Sequence, residues 1–91
     1  MNQNHSHKQI LVIEDEPDIL FSLKAYLESE GYEVPTAQNG EEAMGYLKTH
    51  PMPNLILLDM KMPVMSGWEF SQEFSKAFDH KAPIVVMTAA A

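Results

Sequence analysis

Four short apolar runs alternate along the chain with three segments of helical periodicity, and this alternation constrains the fold more than any other feature. The runs occupy residues 9–14, 32–37, 54–59 and 82–88. Each is short and rich in β-branched or aliphatic residues, as buried strands are. The order β-α-β-α-β-α-β predicts right-handed crossovers and a parallel sheet with helices on both faces.

The intervening segments carry helix start and stop signals. Pro17 suits the first turn of a helix and Gly31 suits the position just past its end. Asn39 with Glu42 three residues later has the pattern of a capping box, and a second such pattern begins at Ser66. We therefore expect helices that begin near these residues.

Two of the helices have apolar stripes that predict their buried faces. In the first helix, Ile19, Leu23, Tyr26 and Leu27 recur at helical spacing, as do Leu20 and Leu27. In the third, Phe70, Phe74 and Phe78 recur every four residues. We interpret the phenylalanine stripe as core packing rather than as an aromatic ligand site.

The strands differ in their expected position in the sheet. Pro35 lacks a backbone N–H donor, which places the second strand at a sheet edge. The third, NLILLD, is the most continuous apolar run and is expected to be buried on both faces, as a central parallel strand is.

The length and composition restrict the class of protein. The 91 residues suffice for one domain, which we expect to span 9–91, with a polar, frayed segment at 1–8. No apolar run approaches the roughly 18 residues that cross a bilayer. The net charge of −7 and the lack of a basic patch argue against direct binding to nucleic acid or to an anionic membrane. The absence of cysteine fits a reducing compartment, and we expect a cytoplasmic protein.

Polar side chains follow three of the strands at the edge of the sheet where ligands bind. Glu14 and Asp15 end the first strand, Asp59 ends the third and Thr88 ends the fourth. In an open parallel sheet these carboxyl ends meet at one crevice. Taken singly, Glu14 and Asp15 could merely complement a helix N-terminus, and Asp59 could be a solvated strand end. Together they predict a shared site for a hard cation, for which Mg²⁺ is the natural candidate.

An ionised aspartate in such a site can act as a nucleophile toward a phosphoryl group. Asp59 would need no general base, and the Thr88 hydroxyl could bind a phosphoryl oxygen. No glycine-rich phosphate-binding loop is present, which argues against a nucleoside triphosphate site.

These residues resemble the response-regulator receiver domain of two-component signalling, the CheY-like family. The resemblance rests on LVIEDEP, LLDMKMPVMSGWEF and IVVMTA, and it covers nearly the whole chain from about residue 8. Asp59 lies 44 positions beyond Asp15, and Thr88 lies 29 positions beyond Asp59. The resemblance implies a flavodoxin-like α/β fold, a three-layer, doubly wound parallel sheet with strand order 2-1-3-4-5.

The resemblance also implies a role for each residue of the site. Asp59 would accept the phosphoryl group from a sensor histidine kinase or a phosphotransfer protein, and Thr88 would be the switch hydroxyl. The Mg²⁺ ligands would be Asp15 directly, Glu14 through water, Asp59, and the backbone carbonyl of Lys61. The chain would then be a phosphoacceptor and not an enzyme. Pro63 and Gly67 would shape the loop after Asp59.

The chain departs from the family pattern in two respects. Glu14 stands where many members have aspartate. The 91 residues do not include the fourth helix, the fifth strand with its lysine or the fifth helix of the family pattern, and Lys81 precedes the fourth strand at the wrong end to replace that lysine. We interpret the chain as a receiver truncated after its fourth strand, with the order 2-1-3-4. Three explanations stay open, namely a fragment of a longer regulator, completion by a homodimer or domain swap, and a naturally short receiver.

Two functions of different kinds remain as alternatives to a phosphorylated switch. A receiver fold without the lysine could serve as an interaction or dimerisation module that is not phosphorylated. An aspartate-nucleophile phosphohydrolase would typically carry a second acid two residues after the nucleophile, where this chain has Lys61.

Overall fold

The computed structural model describes residues 8–59, 67–79 and 81–87. Its elements follow the predicted order. They are β1 (Ile10–Ile13), α1 (Pro17–Ser29), β2 (Thr36–Ala37), α2 (Gly40–Thr49), β3 (Leu55–Asp59), α3 (Gly67–Phe78) and β4 (Ile84–Met87).

The four strands form one parallel sheet in the order β2-β1-β3-β4, which confirms the predicted arrangement. β2 is an edge strand, as Pro35 indicated. The carbonyl of Pro35 still accepts a hydrogen bond from the Val12 N–H at 3.0 Å, so the missing donor leaves this strand pair intact. The Lys8 carbonyl accepts from the Glu33 N–H at 2.9 Å, so backbone pairing begins before β1; residues 1–7 lie outside the described residues.

One face of the sheet packs against α2 and α3. Alternate strand residues point to this face and are fully buried with Phe70 and Phe74, whose rings stack at 5.9 Å between centroids. The strand residues are Leu11, Ile13, Ile56 and Leu58. Phe78 packs against this cluster from its rim, so the phenylalanine stripe is core, as predicted.

The opposite face packs against α1 less completely. Ile10, Val12 and Val34 form its buried cluster. The prediction that β3 is buried on both faces is therefore half right, because Leu55 and Leu57 on this face are only partly buried.

The side chains of α1 that contact the sheet are only partly buried, and they follow one of the two predicted spacings rather than both. Leu20, Leu23 and Leu27 pack against the sheet, whereas Ile19 is 48% exposed and Tyr26 is 62% exposed. The contact stripe is narrower than the apolar stripe of the sequence, so two large side chains remain at its flank.

The N-terminus of α2 confirms half of its predicted capping box. The Asn39 side chain accepts from the Glu42 N–H at 2.8 Å. The Glu42 carboxylate accepts from the Gln38 N–H at 2.8 Å, one residue before the expected donor. These bonds fix the connection between β2 and α2 beside the carboxyl end of β1. The proposed cap at Ser66 lies outside the described residues.

Candidate phosphoacceptor and cation site

Strand register brings the acids of two strands together. β1 and β3 are hydrogen-bonded neighbours, and Ile13 pairs with Leu58. Glu14 and Asp59 are the next residues of these strands, so they lie beside each other at the carboxyl end of the sheet. The predicted convergence of the strand ends thus follows from the register of β1 and β3.

Carboxylate oxygens of Glu14, Asp15 and Asp59 all lie within 4.8 Å of one another. Glu14 is 5% exposed and Asp59 is 8% exposed, whereas Asp15 lies on the exposed rim. Two acids are therefore held away from water, and the third faces the solvent from which a cation or a phosphodonor arrives.

The position of Glu14 is fixed from both ends of the residue. Its N–H donates to the Ala37 carbonyl at 3.0 Å, and its Oε2 accepts from the Glu16 N–H at 3.0 Å. Glu16 is the residue from which α1 begins, so a free N–H of the helix start orients this carboxylate. The sequence contained no signal for this contact, because the donor is a backbone group.

Burial raises the pKa of Glu14 above its ordinary value of 4.5, and the neighbouring charges of Asp59 and Asp15 raise it further. The hydrogen bond from Glu16 acts in the opposite direction. The crowded acids therefore resist carrying full negative charge together, which is the physical condition that a cation would relieve.

The donor set fits a hard divalent cation. All the side-chain ligands in the described cluster are carboxylate oxygens, which suit Mg²⁺ and disfavour a metal that prefers nitrogen or sulfur. Three side chains leave coordination positions for water and for an oxygen of a phosphoryl group.

Two predicted site residues, Lys61 and Thr88, lie outside the described residues, as does Pro63. Gly67 is the first residue of α3. Met87 is in register with Asp59, so β4 ends next to the acidic cluster, one residue before Thr88. Lys81 precedes the other end of β4, away from the cluster, as predicted.

No helix among the described residues is long and apolar enough to span a membrane.

The pattern of the response regulator receiver domain matches residues 10–91. The probable transcriptional regulator ycf27 of Cyanophora paradoxa is 43% identical over 82 residues, which is 90% of this chain and 33% of that protein. The chain spans about a third of the length of the curated relatives it matches.

Solved structures match the fold and the arrangement of elements. The response regulator TrrA of Thermotoga maritima, crystallised in complex with Mg²⁺-BeF, is 43% identical with a TM-score of 0.83. The match covers 92% of this chain and 71% of that one. TrrA in complex with the histidine kinase ThkA matches with a TM-score of 0.82, 43% identity and the same coverage. The flavodoxin-like, CheY-like fold predicted from the sequence is confirmed.

Proposed function

Since the chain belongs to the response regulator receiver domain family, we propose that it accepts a phosphoryl group from a histidine kinase onto Asp59. The observation that carries this proposal is the cluster of three carboxylates within 4.8 Å at the adjoining ends of β1 and β3. Asp59 is buried, and its neighbour Asp15 lies on the exposed rim of the cluster. A phosphodonor would reach Asp59 from the solvent on this side.

In the proposed reaction a carboxylate oxygen of Asp59 attacks the phosphorus of a phosphohistidine. An O–P bond forms, the P–N bond breaks, and the imidazole nitrogen of the kinase retains the electron pair. Ionised Asp59 carries no proton, so the step needs no general base. The chain is phosphorylated rather than turning over a substrate, and we propose that it acts as a switch and not as an enzyme.

We propose that Asp15, Glu14 and Asp59 bind Mg²⁺, with Asp15 presented from the rim and Glu14 oriented by the Glu16 N–H. The cation would supply positive charge that offsets the charge developing on the transferred group. The Mg²⁺-BeF complex of TrrA, a relative at 43% identity, supports this choice of ion. For Lys61 and Thr88 we propose the roles that the family resemblance implies.

The kinase as partner is supported by the complex of TrrA with ThkA. We propose that this transfer takes place in the cytoplasm. The relatives' descriptions as transcriptional regulators concern proteins about three times as long, so nucleic acid binding is assigned to no part of this chain.

Labelling with a small phosphodonor tests the proposal. Wild-type protein incubated with Mg²⁺ and acetyl phosphate should gain the mass of one phosphoryl group, and borohydride reduction followed by peptide mapping should place it at Asp59. Asp59→Asn should stay unlabelled, whereas Asp18→Asn, an exposed acid of the first turn of α1, should be labelled like the wild type.

Unlabelled wild-type protein would refute the phosphoacceptor function. If the same protein still binds Mg²⁺ in calorimetry, the result would favour the alternative, an interaction module that is not phosphorylated.

A further inference from the structure

Glu16 is the residue from which α1 begins, and its side chain takes no part in capping the helix. The carboxylate makes no cap hydrogen bond and is exposed. Serine, threonine, aspartate and asparagine are the residues preferred at this position, because their short side chains reach the free N–H groups. The negative charge of Glu16 complements the helix dipole, but a hydrogen-bonded cap does not account for a glutamate here.

The backbone of Glu16 ties this charge to the acidic cluster. Its N–H nitrogen lies 3.0 Å from Glu14 Oε2, and carboxylate oxygens of Glu14 and Asp59 lie within 4.8 Å of each other. The Cα of Glu16 is therefore about one Debye length or less from the Asp59 carboxylate, where the Debye length is ~10 Å at 0.1 M salt. At low salt the charge of Glu16 thus acts on whatever approaches Asp59.

No basic side chain among the described residues offsets the charge of Glu16. Lys24, in the middle of α1, forms an ion pair with Glu28. Four lysines lie at the opposite edge of the sheet, in the last turns of helices or just before strands, and these are Lys8, Lys48, Lys76 and Lys81. The described part of the carboxyl edge therefore carries charge of a single sign around the site.

This charge has opposite effects on two kinds of phosphodonor. A free donor such as acetyl phosphate is an anion, so the Glu16 carboxylate repels it and lowers its concentration near Asp59. A donor protein is held by its own surface as well as by its phosphoryl group. If a lysine or arginine of that surface faces Glu16, the same carboxylate attracts the donor and speeds its association.

We propose that Glu16 selects between phosphodonors. Its charge slows transfer from free anionic donors, and it favours a donor protein that presents a lysine or arginine beside its phosphohistidine. Glu16 acts through its charge and needs no contact with Asp59, so it is a specificity-determining residue rather than a catalytic one. The inference rests on the proposed phosphoacceptor function of Asp59.

Labelling kinetics with acetyl phosphate at saturating Mg²⁺ test the repulsion. At low salt, Glu16→Gln should be labelled faster than the wild type by roughly twofold to fivefold, and the gain should vanish as salt screens the charge. Glu16→Asp keeps the charge and should be as slow as the wild type. Glu30→Gln removes an exposed acid from the other end of α1, about 20 Å away, and should also match the wild type.

Phosphotransfer from a histidine kinase that labels the wild type tests the attraction. Here Glu16→Gln should be slower than the wild type, and the loss should also shrink as salt is added, because a charge pair at the rim of an interface acts mainly on association. Glu16→Asp should again behave like the wild type. A merely structural role of Glu16 would change both reactions in the same direction and would not depend on salt in this way.

The outcomes separate this inference from the function on which it rests. A wild type that neither donor labels would refute the phosphoacceptor function, and the role of Glu16 with it. In a protein that is labelled, three results would overturn the role of Glu16 alone. They are an unchanged rate of Glu16→Gln with acetyl phosphate at low salt, a gain that persists at high salt, and a change of the same sign with both donors.

Discussion

Glu14 and Asp59 each directly follow a residue of the last pair between β1 and β3, Ile13 and Leu58, and their carboxylate oxygens lie within 4.8 Å of each other. Both are buried, and both are acids. A strand pair that ends on two buried carboxylates is electrostatically unfavourable unless a proton or a cation is bound, because burial and like charge both oppose ionisation.

The raised pKa of Glu14 gives the stability of the metal-free protein a definite pH dependence. Since the folded pKa is above the ordinary 4.5, protonation favours the folded state. The stability from Glu14 is fully present below about 4.5 and is lost as pH rises through the folded pKa. Glu14→Gln, which stays neutral, should therefore be more stable than wild type at neutral pH.

Urea unfolding in the presence of a chelator, repeated across pH, measures this difference. The gain from Glu14→Gln should shrink as pH falls toward 4.5. Glu41→Gln, an exposed acid in the first turn of α2, is the matched control and should give no such gain. A Glu14→Gln variant less stable than wild type at neutral pH would contradict the role assigned to the buried pair.

Among the three acids of the cluster, Asp15 is the one whose replacement should lower the Mg²⁺ affinity most directly. It contributes an oxygen to the cluster yet lies exposed, so its replacement should disturb the fold little. We expect Asp15→Asn to weaken Mg²⁺ binding by at least about tenfold, or about 1.4 kcal/mol. Titration calorimetry measures this, with Asp18→Asn as the control of equal charge change outside the cluster. Similar affinities for the two variants would show that Asp15 is not a ligand.

Sequence reasoning succeeded where one residue carries a strong local signal. Pro35 predicted an edge strand because a missing donor is tolerated only there. The strand-end acids predicted a shared site because parallel strands align their carboxyl ends. Both inferences need only chain direction and strand type.

Features that depend on how much of a helix surface the sheet covers could not be predicted from the sequence. The helical period marked Ile19 and Tyr26 as apolar neighbours of Leu23, but it could not say how wide a stripe the sheet contacts. The hydrogen bond from the Glu16 N–H to Glu14 was also out of reach, because every residue has the same backbone donor.

Replacement of two glycines by alanine should change the free energy of unfolding in opposite directions. Gly45 lies inside α2, and a Cβ built there meets no heavy atom within 4 Å, so Gly45→Ala should raise the free energy of unfolding by about 0.5–1 kcal/mol. Gly31 has a φ of 99°, and Gly31→Ala should lower it by about 1 kcal/mol or more.

Thermal unfolding measures both changes, because about 1 kcal/mol shifts the Tm of a domain this size by roughly 4–8 °C. Stabilisation by both substitutions, or by neither, would contradict the assigned backbone conformations.

Ile19 lies near the start of α1, the helix that follows the acidic residues Glu14 and Asp15. It is in the first turns of α1, four residues after the exposed Asp15, and it is 48% exposed. Under the proposed function, we expect a protein that brings a phosphohistidine to Asp59 to contact this part of α1, where a large apolar side chain offers it area to bury. Phe21 is more exposed than Ile19. Because Phe21 lies two residues further along the helix, its side chain points about 200° away from that of Ile19.

We therefore expect Ile19→Ala to slow phosphotransfer from a histidine kinase that labels the wild type by about tenfold, a typical cost of removing an interface anchor. Labelling by acetyl phosphate should stay unchanged, because the substitution leaves the acids in place. Phe21→Ala should affect neither reaction. Rapid-quench kinetics with both phosphodonors decide the matter, since an equal loss with both would place Ile19 in the folding of the site rather than in partner contact.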